Sequence, residues 1–146
     1  MDKDTRNLEE AVKALKTEEQ VEGYLRGCQQ EQEVKYFYQY LHQIAEAKRI
    51  PMSQVVARSR VNKNYVYNIT GGVKRNPGRD KIIALCFGAC MNYEETNKAL
   101  EIGGHCRLNP KSERDVRIAV AINTGAFDVG KLNDLLTEKH LQPLHI

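Results

Sequence analysis

The stretch from Met52 to Gly72, MSQVVARSRVNKNYVYNITGG, constrains this chain more than any other, and the rest is organised around it. It reads as two short helices joined by a tight turn. Val55, Val56 and Ser59 share one face of the first, and Val66 and Ile69 give the second an i, i+3 apolar face. Val61 lies between them, where a buried hydrophobe pins the turn. Asn62 is the expected N-cap of the second helix, because its side-chain oxygen accepts from an unpaired backbone N–H one turn on. Gly71-Gly72 is the expected stop.

With Val66 at the centre of the inner face, Lys63, Asn64, Tyr67 and Asn68 point outward. These are mostly residue types that read base edges or hold phosphate in a major groove. The pattern is a helix-turn-helix with a candidate recognition helix at Lys63–Thr70. Asn64 and Asn68 suit adenine edges, Lys63 guanine or phosphate, and Tyr67 phosphate or a thymine methyl. Gln54 and Arg58 are expected to face phosphates from the preceding helix. Lys74, Arg75 and Arg79 belong to a basic loop flanking the groove. Asn62 and Arg60 complete the phosphate candidates, Arg60 from the turn itself. The competing reading makes all of these caps, solvent contacts and solubility.

Charge separates the two readings. The chain of 146 residues carries a net charge of +3, unevenly spread. Lys48 to Lys81 holds nine Lys or Arg against one acid, Asp80, a local net of +8. The remainder sums to −5, of which Met1–Glu33 contributes −4. A basic patch coinciding with a helix-turn-helix is the electrostatic footprint of a polyanion-binding face.

The length holds one ordinary domain with an appended piece. No run of 18 apolar residues is present, and MDKDTRNLEE is too acidic and polar for a leader, so a cytoplasmic location is expected. Residues 1–32 form an acidic extension of two amphipathic helices. Leu8, Ala11, Val12 and Leu15 line the first, over Asp4 to Lys16. Thr17-Glu18-Glu19-Gln20 opens the second with a capping box, and it continues through Val21, Tyr24 and Leu25 to Gly27.

Residues 33–104 form a five-helix core. Its first helix runs from Glu33 to Arg49 with Val34, Phe37, Tyr38, Leu41, Ile44 and Ala45 inward, stopped by Ile50-Pro51. After the helix-turn-helix and the basic loop, Arg79–Cys90 buries Ile82, Ile83, Leu85, Cys86 and Phe87. Asn92 and Glu95 make a capping box for a helix over Tyr93–Ile102, closed by Gly103-Gly104. Residues 105–146 carry a helical hairpin. Ser112–Thr124 is apolar around much of its girth and expects cover on more than one side, from the core, the N-terminal helices or a second protomer. Asp128 caps a last helix with Val129, Leu132, Leu135 and Leu136. The fold class is all-α.

Catalytic and metal chemistry find little footing. Cys86 and Cys90 stand i, i+4, with His105-Cys106 nearby in sequence, but no C-x-x-C knuckle supports zinc. Cys in an apolar helix is more often a small core hydrophobe. No Ser-His-Asp ordering, HExxH or Walker loop occurs, and no catalytic, metal or cofactor residue is assigned.

Met52–Gly72, followed by Lys74-Arg75-Asn76-Pro77 and Arg79-Asp80-Lys81, resembles the phage-repressor-like (XRE) helix-turn-helix family. The wording SQVVARSRVNKNYVYNITGG…KRNPGRDKIIALCFG…EETNKALEIGG is closer still to a bacterial branch with an acidic N-terminal helical segment and a C-terminal helix pair. The resemblance covers roughly Leu41 to Leu144 and is specific over Ser53–Gly104. It implies a compact helical fold, no cofactor and no catalysis. The family usually carries Gly where this chain has Arg60, which must then bear a left-handed backbone at a cost of about 1 kcal/mol, unless the turn geometry has shifted.

The expected function is therefore a sequence-specific regulator of transcription that binds double-stranded DNA as a homodimer. The alternative is a protein-interaction module on the same scaffold, engaging a toxin, an effector or a phage protein through the N-terminal helices or the hairpin, with weak or lost DNA binding.

Overall fold

The computed structural model describes residue 13 and residues 16–21, 34–70 and 76–146. The chain divides into two compact units, Met1–Lys35 and Tyr36–Ile146. In the first, the expected capping box is formed. Thr17 Oγ1 accepts the Gln20 N–H at 3.1 Å, and Gln20 Oε1 accepts the Thr17 N–H at 3.3 Å and the Lys16 N–H at 2.9 Å. Residues 18–21 are helical beyond it. The expected stripe of Leu8, Ala11, Val12 and Leu15, and the positions Tyr24, Leu25 and Gly27, lie outside the described residues.

The second unit contains helices and, among the described residues, no strand. In order they are α1 (Phe37–Ala47), α2 (Met52–Ser59), α3 (Lys63–Thr70), α4 (Arg79–Gly88), α5 (Tyr93–Ile102), α6 (Glu113–Asn123) and α7 (Val129–Glu138). The hairpin of α6 and α7 belongs to the same unit as α1–α5, so residue 104 is a turn within it rather than a boundary between compact bodies.

Helix α1 starts later than the apolar stripe implies. Tyr36 is extended (φ −122°, ψ 148°), and its N–H donates to Gln39 Oε1 at 3.0 Å, so a side-chain amide three residues on caps the helix there. Phe37, Tyr40, Leu41 and Ala45 are buried, whereas Val34 and Tyr38 are half-buried, and Tyr38 stacks on Tyr36. At the other end Arg49 is left-handed (φ +57°), and the Ile50 N–H reaches back to Ala45 O at 2.9 Å. This six-to-one closure ends the helix before Pro51.

Helix α4 is the axis of the core. Ile82, Ile83, Ala84, Leu85, Cys86 and Phe87 are all fully buried, so the helix is covered on every side. It stops at Gly88 rather than continuing to Cys90, because Cys90 turns left-handed (φ +53°) and the Met91 N–H bonds Cys86 O at 3.0 Å. Gly88 is needed for a different reason. A Cβ built there would stand 2.2 Å from Val55 O, so the backbones of α2 and α4 meet at a point where no side chain fits.

Helices α3, α5 and α6 begin and end where the sequence places them, within a residue, and α7 begins at its expected cap. Asn92 and Glu95 exchange capping bonds of 2.8 and 2.9 Å. Asp128 Oδ1 accepts the Lys131 N–H at 3.0 Å, and Ser112 Oγ accepts the Asp115 N–H at 3.3 Å. Gly104, Gly125 and His140 are left-handed just past α5, α6 and α7. The hairpin packs on the core: Ile118, Ile122, Leu132 and Leu136 are buried, and Phe127 meets Phe87 edge-to-face at 5.7 Å. Among the described residues no helix is long and apolar enough to cross a membrane.

Candidate nucleic-acid interface

The turn between α2 and α3 is held by Ser59, a side chain with no exposure at all. Its hydroxyl donates to Val56 O at 2.7 Å and accepts the Val61 N–H at 3.1 Å. That second bond satisfies a backbone donor that the tight turn would otherwise bury unpaired. Arg60 takes the left-handed conformation (φ +60°, ψ 11°), so the departure from glycine is met by strain and not by a displaced turn. Val61 is buried beneath it. Asn62 Oδ1 accepts the Asn64 N–H at 2.9 Å and the Tyr65 N–H at 3.3 Å, the capping role expected of it.

These contacts set the roll of α3. Val66 and Ile69 are each 1% exposed, and Lys63, Asn64, Tyr67 and Asn68 all lie on the solvent side. Tyr67 is 56% exposed, the highest value among the exposed large hydrophobic side chains described. Lys63 Nζ stands 5.6 Å from its ring centroid, which pairs a cation with an aromatic face on the outer surface. Gln54, on α2, is exposed as well.

Two of the expected phosphate contacts, Arg58 and Arg79, are put to other uses, while Arg60 stays exposed. Arg58 Nη1 donates to Gly88 O at 3.0 Å and to Cys90 Sγ at 2.8 Å. It thereby caps the carbonyl end of α4, where a cation is favoured. Arg79 forms a two-pronged pair with Asp115, at 3.2 and 2.8 Å, and also donates to Cys106 O and Arg107 O. Burial opposes the charged form of Asp115, but the bonds from Arg79 and from the Asn109 N–H outweigh it and hold its carboxyl below the ordinary range. The Arg60 guanidinium lies against the backbone of Gly130, in the first turn of α7. Lys74 and Arg75, with the Gly71-Gly72 stop, lie outside the described residues.

Among the described residues, the cysteines do not converge on a site. Cys86 is enclosed in the core, where burial pushes its thiol far up, while Cys90 receives Arg58 and Cys106 is exposed. What sequence reasoning missed lies on the flank of α3. A cleft of about 470 Å³ is lined by Tyr65, Gly78, Arg79, Asp80, Lys81 and His145. Lys81 lay in the basic segment but carried no assigned role, and the return of His145 to this place has no local signal.

No protein-family model, curated protein or solved structure matches the chain. The functional reading therefore stands on the residues themselves.

Proposed function

We propose that this protein is a sequence-specific double-stranded DNA-binding regulator of the repressor-like kind, reading the major groove with α3. One observation carries the reading: Lys63, Asn64, Tyr67 and Asn68 face solvent together while Val66 and Ile69 seat the helix in the core. Amides, a lysine and a phenol on one short exposed helix match base-edge and phosphate chemistry. The local net charge of +8 between Lys48 and Lys81 supplies the non-specific attraction. Part of that charge is neutralised internally, by Arg79 with Asp115 and by Lys48 with Glu95 at 2.9 Å. One such helix reads only a few base pairs, so the functional unit is a homodimer on a two-fold operator.

Selecting sites from a random oligonucleotide pool tests this directly, and the winners should be palindromic with half-sites about one helical turn apart. On the selected duplex log K should fall with log salt at a slope of roughly −3 to −5. Asn68→Ala should cost about 1–3 kcal/mol on that duplex, relax choice at one base pair, and leave random DNA nearly unaffected. Equal losses on both duplexes would remove α3 from base reading.

A second reading, a protein-interaction module, draws on α6, where Val116 and Val120 are 42% and 53% exposed at i, i+4 spacing. It is favoured if micromolar protein shows no salt-sensitive binding to any duplex.

A further inference from the structure

We propose that the last residues of the chain complete the DNA-binding surface. The cleft between α3, the start of α4 and the C-terminal tail receives the sugar–phosphate strand bordering the groove, with Lys81 and His145 contacting phosphate. This rests on the reading of α3 above.

Position comes first. Tyr65, in α3, is half-buried and lines the cleft, and Asn68, three residues on, stands on the same side of the helix. A duplex whose major groove admits α3 must pass one of its backbones along such a flank. Lys81 reaches across from α4, its Nζ 5.1 Å from the Tyr65 ring centroid. No carboxylate among the described residues pairs with it.

The negative charge in the cleft is already answered. Asp80 Oδ2 accepts from Arg114 at 3.0 Å and from the His145 backbone N–H at 2.9 Å. Arg79, also in the wall, is committed to Asp115. The charge left to meet an incoming anion is therefore that of Lys81, with His145 also lining the cleft.

The tail is a fixed wall. Arg114 donates to Gln142 O at 2.8 Å and to Pro143 O at 3.2 Å. Asn133 Oδ1 accepts the Leu144 N–H at 2.7 Å, and the Leu144 side chain is buried. These bonds hold the backbone of His145 in place, so a contact made there needs little further ordering. Contacts to phosphate position a protein on a duplex and carry no sequence information, which sets what the test must read.

The experiment titrates the full chain with the selected duplex and with a random duplex of equal length, over a series of salt concentrations. Lys81→Ala should bind both duplexes on the order of tenfold more weakly, with a salt slope shallower by about one. His145→Glu should weaken both on the order of tenfold through repulsion, and His145→Lys should restore binding. Thermal melts run in parallel exclude a folding defect, and Lys81→Arg provides a second charge-preserving control. If the wild-type chain binds with the expected slope while Lys81→Ala and His145→Glu bind both duplexes as it does, the cleft is overturned and α3 stands. A wild-type chain without salt-sensitive binding overturns the reading of α3, and the cleft falls with it.

Discussion

Arg60 holds a left-handed backbone at the one turn that everything on the candidate interface depends on. The conformation costs a non-glycine residue about 1 kcal/mol. Arg60→Gly should therefore raise stability by about 0.5–1 kcal/mol in urea unfolding without moving α3, whereas Arg60→Val should lower it, because a β-branched residue resists φ > 0. Gly88 has no such latitude. Its Cβ would stand 2.2 Å from Val55 O, and carbonyl backbone cannot swing aside as a side-chain tip can. Gly88→Ala should cost about 2–3 kcal/mol in the same measurement. Arg60 was legible in the sequence as a departure from glycine; Gly88, inside an apolar helix, gave no local sign that a second backbone passes over it.

At the scale of elements, the caps were the readable part. Thr17, Asn62, Asn92 and Asp128 all accept the backbone bonds their positions imply, because capping is decided within four residues. The helix stops were less readable. Arg49, Cys90 and His140 close helices in a conformation usually associated with glycine, and only the closing bonds from Ile50, Met91 and Leu141 reveal it. Longer links decide how elements are tied together. Asp115, 5% exposed, binds α6 to α4 through Arg79, and its folded-state carboxyl titrates below the ordinary value. A depressed carboxyl stabilises the fold fully above its unfolded value, and that contribution is lost as pH falls through the folded one. Asp115→Ala should therefore cost about 3 kcal/mol near neutral pH, and the gap from wild type should close on acidification below the ordinary carboxylate range, followed by denaturant titration at each pH.

Across the whole molecule, the all-α class, the two short helices at Met52–Ser59 and Lys63–Thr70 and the outward face of α3 were determined by the sequence, because periodicity and capping chemistry act over one or two turns. Which arginines remain for a ligand was decided by tertiary structure alone. Arg58 and Arg79 read as surface cations in a basic segment, yet Arg58 meets Gly88, 30 residues on, and Arg79 meets Asp115, 36 residues on. His145 joins Asp80 across 65 residues, and no local pattern encodes such a return. The physical reason is the cost of burying charge. Once α4 is enclosed, the charges most deeply drawn in around its ends, Arg58, Arg79 and Asp80, need partners, and those partners come from whichever part of the chain the packed core brings near.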